Sequence, residues 1–336
     1  MKADLLKRLF KAIRSEPPSK VNVLLASIVE EERRKGHVEL ARQLAQILER
    51  SSQPSPEDLA PSGFDTSERS FKELPRSRRS NAPLVTVVPP QLIRHQMVLR
   101  EDIERRFARI EREYAARGRL SKFGLKPRKK ILLFGRPGCG KTLGAERLAF
   151  NTGLPLLKVR FDSMISSYFG ESATNLRSVF DAAMEKPCLL LLDECDFVAR
   201  SRNEKNDVGE VPRVVNTLLQ LLDDYDAPGL LVATTNIEES LDRAIFRRFD
   251  DVFEIPKPDS PQIQELLRLS FSALVVSKNI KWKELSERLN GLSAAVVVTV
   301  AQSAAKLSIL DGRDTISLAE IERAIAELEE TRGLQG

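Results

Sequence analysis

Apolar positions along the chain follow two rhythms, and the switch between them divides it. Up to about residue 50 they recur at helical spacing. Leu5, Leu6, Leu9, Phe10 and Ile13 form one stripe, Val23, Leu24, Ile28 and Val29 a second, and Leu40, Ala41, Leu44 and Leu48 a third. Pro17-Pro18 and Gly36-His37 punctuate them. The spacing predicts a helical module over residues 1–50, too small to bury much core by itself. Such a module either docks onto something or stands as a solvated arm. Residues 51–89 turn to serine, proline and charge (SSQPSPEDLAPSG, ELPRSRRSNAP), which predicts a flexible linker.

Helical spacing resumes at Ile103, Phe107, Ile110 and Tyr114, and then the rhythm changes. Short, mostly apolar runs at 131–134, 156–161, 188–192, 230–235 and 252–255 read as strands of a buried sheet. Helical patterns separate them, one on Leu176, Val179, Phe180 and Ala183, another over about 211–222. The alternation predicts an α/β fold, a parallel sheet sandwiched between helices over residues 90–257, with ligands at the carboxyl ends of its strands. Past residue 258 strand patterns cease, and residues 258–336 are expected to form a small all-helical lid domain. Asp259 or Ser260 caps its first helix with Pro261 in the first turn, and Ser317-x-x-Glu320 is a capping box.

The first strand run breaks into Gly135-x4-Gly140-Lys141-Thr142, followed by helical spacing at Ala145, Leu148 and Ala149. Strand, glycine-rich loop and helix in that order make a P-loop, which binds a nucleoside triphosphate. Gly135, Pro137, Gly138, Cys139, Gly140, Lys141, Thr142 and Leu143 are the candidate cradle, with backbone N–H groups turned toward phosphate. Lys141 is expected to reach the β/γ-phosphates and Thr142 to ligate Mg²⁺. The run at 188–192 ends in Asp193 and Glu194. There Asp193 is placed to hold the Mg²⁺ shell with Thr142, and Glu194 to polarise an attacking water. Asn236, ending the run at 230–235, is a candidate for orienting that water, or a turn asparagine capping Glu238 and a short helix after it.

Bulk properties narrow the setting. At 336 residues the chain can hold two or three domains, and its net charge of +5 is mild. The basic stretch at 100–130 is interleaved with acids, so a solvated helix face fits it better than a nucleic-acid groove. Three cysteines (Cys139, Cys188, Cys195) and two histidines have no zinc spacing. No run is apolar enough to span a bilayer, and a reducing, cytoplasmic setting is expected.

The series GRPGCGKT, SYFGES, LLLLDECD, ATTN and LDRAIFRRFD, in that order, resembles the AAA family within the AAA+ class of ATPases. The likeness covers about residues 90–330, and the adjacent arginines of LDRAIFRRFD are similar to those of stand-alone single-ring bacterial and katanin-like members. It implies Mg²⁺-dependent hydrolysis of ATP to ADP in a ring, usually a hexamer. Arg247 and Arg248 would be arginine fingers entering the neighbouring copy's site. Tyr168, Phe169 and Gly170 would form a pore loop gripping an extended protein substrate. Val98 and Leu99 match the region that lies against adenine, and Gly291-Leu292-Ser293-Ala294 the second-sensor segment, here without its arginine. The expected role is unfolding, threading or remodelling of proteins, with residues 1–50 contacting a partner or a separate peptidase. Nucleic-acid remodelling and an ATP-switched scaffold are the alternatives. Cys139, beside the phosphates at a helix N-terminus, is expected to be a reactive thiol.

Overall fold

A computed structural model describes residues 74–77, 80–164, 171–196, 210–236 and 243–333. The module expected over 1–50 and the loop residues Tyr168, Phe169 and Gly170 lie outside them.

In chain order the elements are β1 (Val85–Val88), α1 (Glu101–Ala115), α2 (Arg117–Lys122), β2 (Lys130–Phe134), α3 (Lys141–Thr152) and β3 (Leu156–Val159). Next come α4 (Phe161–Met164), α5 (Glu171–Glu185), β4 (Leu189–Leu192), α6 (Glu210–Asp224), β5 (Leu230–Thr235), α7 (Arg243–Phe246) and β6 (Asp251–Glu254). The C-terminal region holds α8 (Ser260–Ser270), β7 (Val275–Val276), α9 (Trp282–Arg288), α10 (Ala294–Leu310), β8 (Thr315–Ile316) and α11 (Leu318–Gly333).

Six strands form one sheet in the order β1-β3-β4-β5-β2-β6. All neighbours are parallel except β1, which pairs antiparallel with β3 from Val85 opposite Val159 to Val88 opposite Leu156. The apolar runs lack alternation because both faces are covered. Leu132, Leu190, Leu192, Leu231 and Ala233 face one core with α5 and α6, and their chain neighbours Ile131, Leu133, Leu189, Leu191 and Val232 face another with α1 and α3. Each leucine, isoleucine or valine among them, taken fully out of water, contributes about 1.5–3 kcal/mol. The register places β5 between β4 and the P-loop strand β2, so the carboxyl ends of these three strands lie side by side.

Two expectations are corrected. Val85–Val88 lies inside the stretch expected to be linker, yet Leu84 and Val85 are buried and the strand completes the sheet edge. Four β-branched residues in a row, Val-Thr-Val-Val, fit a half-buried pleat, and their pairing outweighs the polar composition around them. Nor is the C-terminal region wholly helical, since β7 and β8 pair in parallel over two residues. Its separate apolar core joins Ile263, Leu267 and Phe271 of α8 to Val297, Val300 and Ala301 of α10 and to Ile321 and Ile325 of α11.

Caps fix where that region begins. The Asp259 side chain accepts from Gln262 N–H (3.0 Å), and Gln262 Oε1 accepts from Asp259 N–H (2.9 Å), a reciprocal box at the start of α8. Before α11, the Glu320 carboxylate accepts from both the backbone N–H (2.9 Å) and the hydroxyl of Ser317. Those contacts, the hydroxyl first, pull the Glu320 carboxyl down to about 2.

Candidate functional site

A cleft of about 840 Å³ opens where the carboxyl ends of β2, β4 and β5 meet the C-terminal region. One wall is the loop from β2 into α3. Gly135 there has φ +138°, and a Cβ would come within 2.5 Å of the Ile255 carbonyl, so only glycine lets the chain after β6 pass this close. Gly138 has φ +74°, and its carbonyl accepts the Ala295 N–H at 2.9 Å, tying the loop to the first turn of α10.

Lys141 sits behind the loop, only 7% exposed. Its ammonium donates to the carbonyls of Gly135 (2.8 Å) and Arg136 (3.0 Å) and to Asn236 Oδ1 (2.7 Å). Burial lowers its pKa, opposed by the Cys139 thiol and by Asp196, Asp193 and Glu194. Thr142 Oγ1 donates to Asp193 Oδ1 at 2.9 Å, and the other Asp193 oxygen meets Lys158 Nζ at 2.6 Å. Burial alone would raise the Asp193 pKa; the bonds from Lys158, Thr234 and Thr142 outweigh it, and the carboxyl lies below its usual range.

The turn after β4 is stitched to the end of β5. Thr234 Oγ1 donates to Asp193 Oδ1 (2.6 Å) and accepts the Glu194 N–H (2.9 Å), while the Thr234 carbonyl accepts the Cys195 N–H (2.8 Å). These contacts hold Glu194 at φ +56°, a backbone state that costs a non-glycine residue about 1–3 kcal/mol. The Glu194 side chain is exposed on the cleft wall. Asp196 continues the stitching through the Thr235 hydroxyl and the Asn236 backbone and side chain.

The far end of the cleft is apolar and comes from scattered segments. A strap, residues 93–98, crosses it, with Leu266 and Leu269 of α8 and Ala294 and Val298 of α10 opposite. Glu146 of α3 pins the strap, accepting the Arg94 backbone N–H at 2.9 Å and its guanidinium at 3.3 Å. His95 stacks on Phe150 of the same helix, ring centroids 3.8 Å apart.

The cleft thus gathers Val98, Pro137, Gly138, Cys139, Gly140, Lys141, Thr142, Leu143, Asp193, Glu194 and Asn236. Leu99 packs instead against the core under α1 and α3. Arg247 and Arg248 are not among the lining residues. Arg248 pairs with Asp223 at 3.0 Å, whereas Arg247 is exposed and has no hydrogen bond or ion pair among the described residues. Burial argues against the reactive Cys139 expected from the sequence. The residue is 5% exposed, and burial pushes its thiol pKa up against the pull of Lys141 and Lys257. Sequence reasoning also missed Lys158 and Asp196, charged residues inside or just beyond apolar runs, Glu146 within α3, and the strap, which carries no motif.

Comparison with known proteins agrees with this geometry. The family model of the ATPase family associated with various cellular activities (AAA) matches residues 131–257. An uncharacterised AAA family ATPase of Sinorhizobium fredii is 36% identical over 303 residues, 89% of this chain and 88% of that protein. Proteasome-activating nucleotidases of Methanothermobacter thermautotrophicus and Methanococcus maripaludis are 33% and 34% identical over 214 residues, 62% of this chain. The match spans 52% of each nucleotidase, about half its length. No helix among the described residues is long and apolar enough to cross a membrane. With a glycine-rich loop and buried lysine after β2 and two carboxylates after β4, the chain belongs to the AAA family and is an ATP hydrolase.

Proposed function

We propose that the chain is a ring-forming ATPase that couples Mg²⁺-ATP hydrolysis to unfolding, threading or remodelling proteins. The observation that carries the reading is the convergence of Lys141, Asp193, Glu194 and Asn236 on one cleft. Thr142 and Asp193 present a hydroxyl and a carboxylate oxygen side by side, hard donors of the kind Mg²⁺ takes together with phosphate. No group of three or more His, Cys, Asp or Glu side chains able to hold a metal occurs among the described residues, so the ion fits as the nucleotide's companion. When bound it neutralises phosphate charge. Lys141 exchanges the loop carbonyls for phosphate oxygens, Glu194 takes the proton of the attacking water, and Asn236 orients that water and the γ-phosphate.

Arg247 and Arg248 lie off the cleft, which fits action on a neighbouring copy in a hexameric ring. The protein-directed role leans on the likeness to nucleotidases named for activating proteasomes. Tyr168, Phe169 and Gly170 are the proposed gripping loop and residues 1–50 the proposed contact for a partner or separate peptidase. The proposed linker ends before Val85, the ATPase core runs to residue 257, and a lid follows from 258. The basic stretch at 100–130 favours this over nucleic acid, because Arg106 pairs with Asp251 and both Arg109 and Arg128 with Glu113.

Glu194→Gln tests the chemistry. It is expected to bind ATP normally while turnover falls on the order of 10²–10⁴-fold; turnover near wild type would remove Glu194 as the base. Mixing Arg248→Ala with Lys141→Ala subunits tests the ring, since complementation restores activity only if the fingers act between copies.

A further inference from the structure

Asp196 lies two residues beyond Glu194 and has no part in the chemistry above. Its carboxylate is given over to the end of β5. Oδ1 accepts from the Thr235 hydroxyl (2.6 Å) and the Asn236 backbone N–H (2.8 Å), and Oδ2 accepts from Asn236 Nδ2 (3.0 Å). A side-chain amide has one donor end and one acceptor end, and only its oxygen can face an ammonium. With the donor end held by Asp196, Oδ1 points at Lys141 Nζ, 2.7 Å away. Turning the amide over would set its NH₂ against the ammonium and its oxygen against a carboxylate.

We propose that Asp196 is a positioning residue that fixes which way the Asn236 amide faces, and so sets the acceptor that holds the Lys141 ammonium and can take a hydrogen bond from the attacking water. The proposal rests on the reading of Asn236 given above. Asp196→Asn isolates the effect. An asparagine keeps an oxygen for Thr235 and the Asn236 backbone, but presents NH₂ where Asn236 Nδ2 now donates. The Asn236 amide must then either lose that contact or reverse.

The test is a double-variant cycle on the full chain, reading kcat, KM, affinity for a non-hydrolysable ATP analogue, and melting temperature. Asp196→Asn is expected to melt as the wild type does and to lower kcat roughly tenfold to a hundredfold, with KM moving less than about threefold. Asn236→Ala lowers kcat as well. The combined variant should be no slower than Asn236→Ala alone, because no amide is left to orient. A combined loss equal to the product of the single losses, or wild-type kcat in Asp196→Asn, overturns the proposal. Wild-type turnover in Asn236→Ala would remove the role of Asn236 and this proposal with it, leaving the Glu194 assignment to its own test. Should Asp196→Asn fail to fold, Asp196→Ser enters the same cycle with the same outcomes.

Discussion

The two ends of the cleft are built on different principles. At the phosphate end, Lys141, Asp193 and Asn236 are each held by two or three short side-chain hydrogen bonds from the loop and neighbouring strand ends, and Thr142 by one to Asp193. Order there comes from the sheet, whose parallel register aligns β2, β4 and β5 before any nucleotide arrives. At the opposite end the walls are a strap and two helix faces, pinned by one carboxylate, one ring stack and one backbone bond. A rigid polar end suits chemistry, and a lightly pinned apolar end suits admission and release. Substitutions at the first should therefore cut affinity deeply or stop turnover, and substitutions at the second should change how tightly nucleotide is held.

The sharpest break comes at Lys141. Lys141→Ala removes a buried cation with three acceptors around it and should weaken ATP binding on the order of a hundredfold, measured by titration with a fluorescent ATP analogue. Glu146→Ala frees the strap. Because the Arg94 side chain is 75% exposed, its ion pair adds little, and the loss is mainly the backbone bond from Arg94 to a residue 9% exposed. KM for ATP should rise roughly fivefold to tenfold with kcat nearly unchanged. Phe150→Ala removes the His95 stack and should raise KM about two- to fivefold. An equal loss of kcat in either strap variant would erase the contrast between the ends.

Two smaller effects complete the series. The Glu320 carboxyl is held down to about 2 in the folded chain. A depressed carboxyl stabilises the fold above its unfolded pKa, about 4.3, and that contribution is lost as pH falls toward 2. Acid titration of the wild type against Glu320→Gln should thus show the difference in melting temperature shrinking through that window. Iodoacetamide at neutral pH should leave Cys139 nearly unlabelled in the folded chain, since its thiol is covered and protonated.

The phosphate end was legible because its letters are contiguous. Gly135 to Thr142, Asp193-Glu194 and Asn236 each sit where an apolar run stops, and a run's end is visible without knowing the fold. The order of β4, β5 and β2 is not written in the residues themselves. The apolar end left no such trace. Ile93, Leu266 and Val298 are ordinary core-type residues far apart in the chain, and only the folded arrangement makes them neighbours. Val85–Val88 was hidden by the proline and serine around it, and a two-residue pair such as β7 and β8 is shorter than any periodicity. Asp196 stood in plain view in Asp-Glu-Cys-Asp, but its role depends on which end of an amide it grips.

One bond joins the two ends directly, that from Ala295 N–H to the Gly138 carbonyl. Its consequence is thermodynamic reciprocity. If nucleotide in the cleft favours the loop shape that accepts this bond, it must also favour the docked position of α10, by the same free energy. Any change in the C-terminal region that shifts docking of α10, however distant from phosphate, then shifts nucleotide affinity in the same direction, up to the limit of that coupling. Grip on nucleotide becomes a property that the C-terminal core can tune.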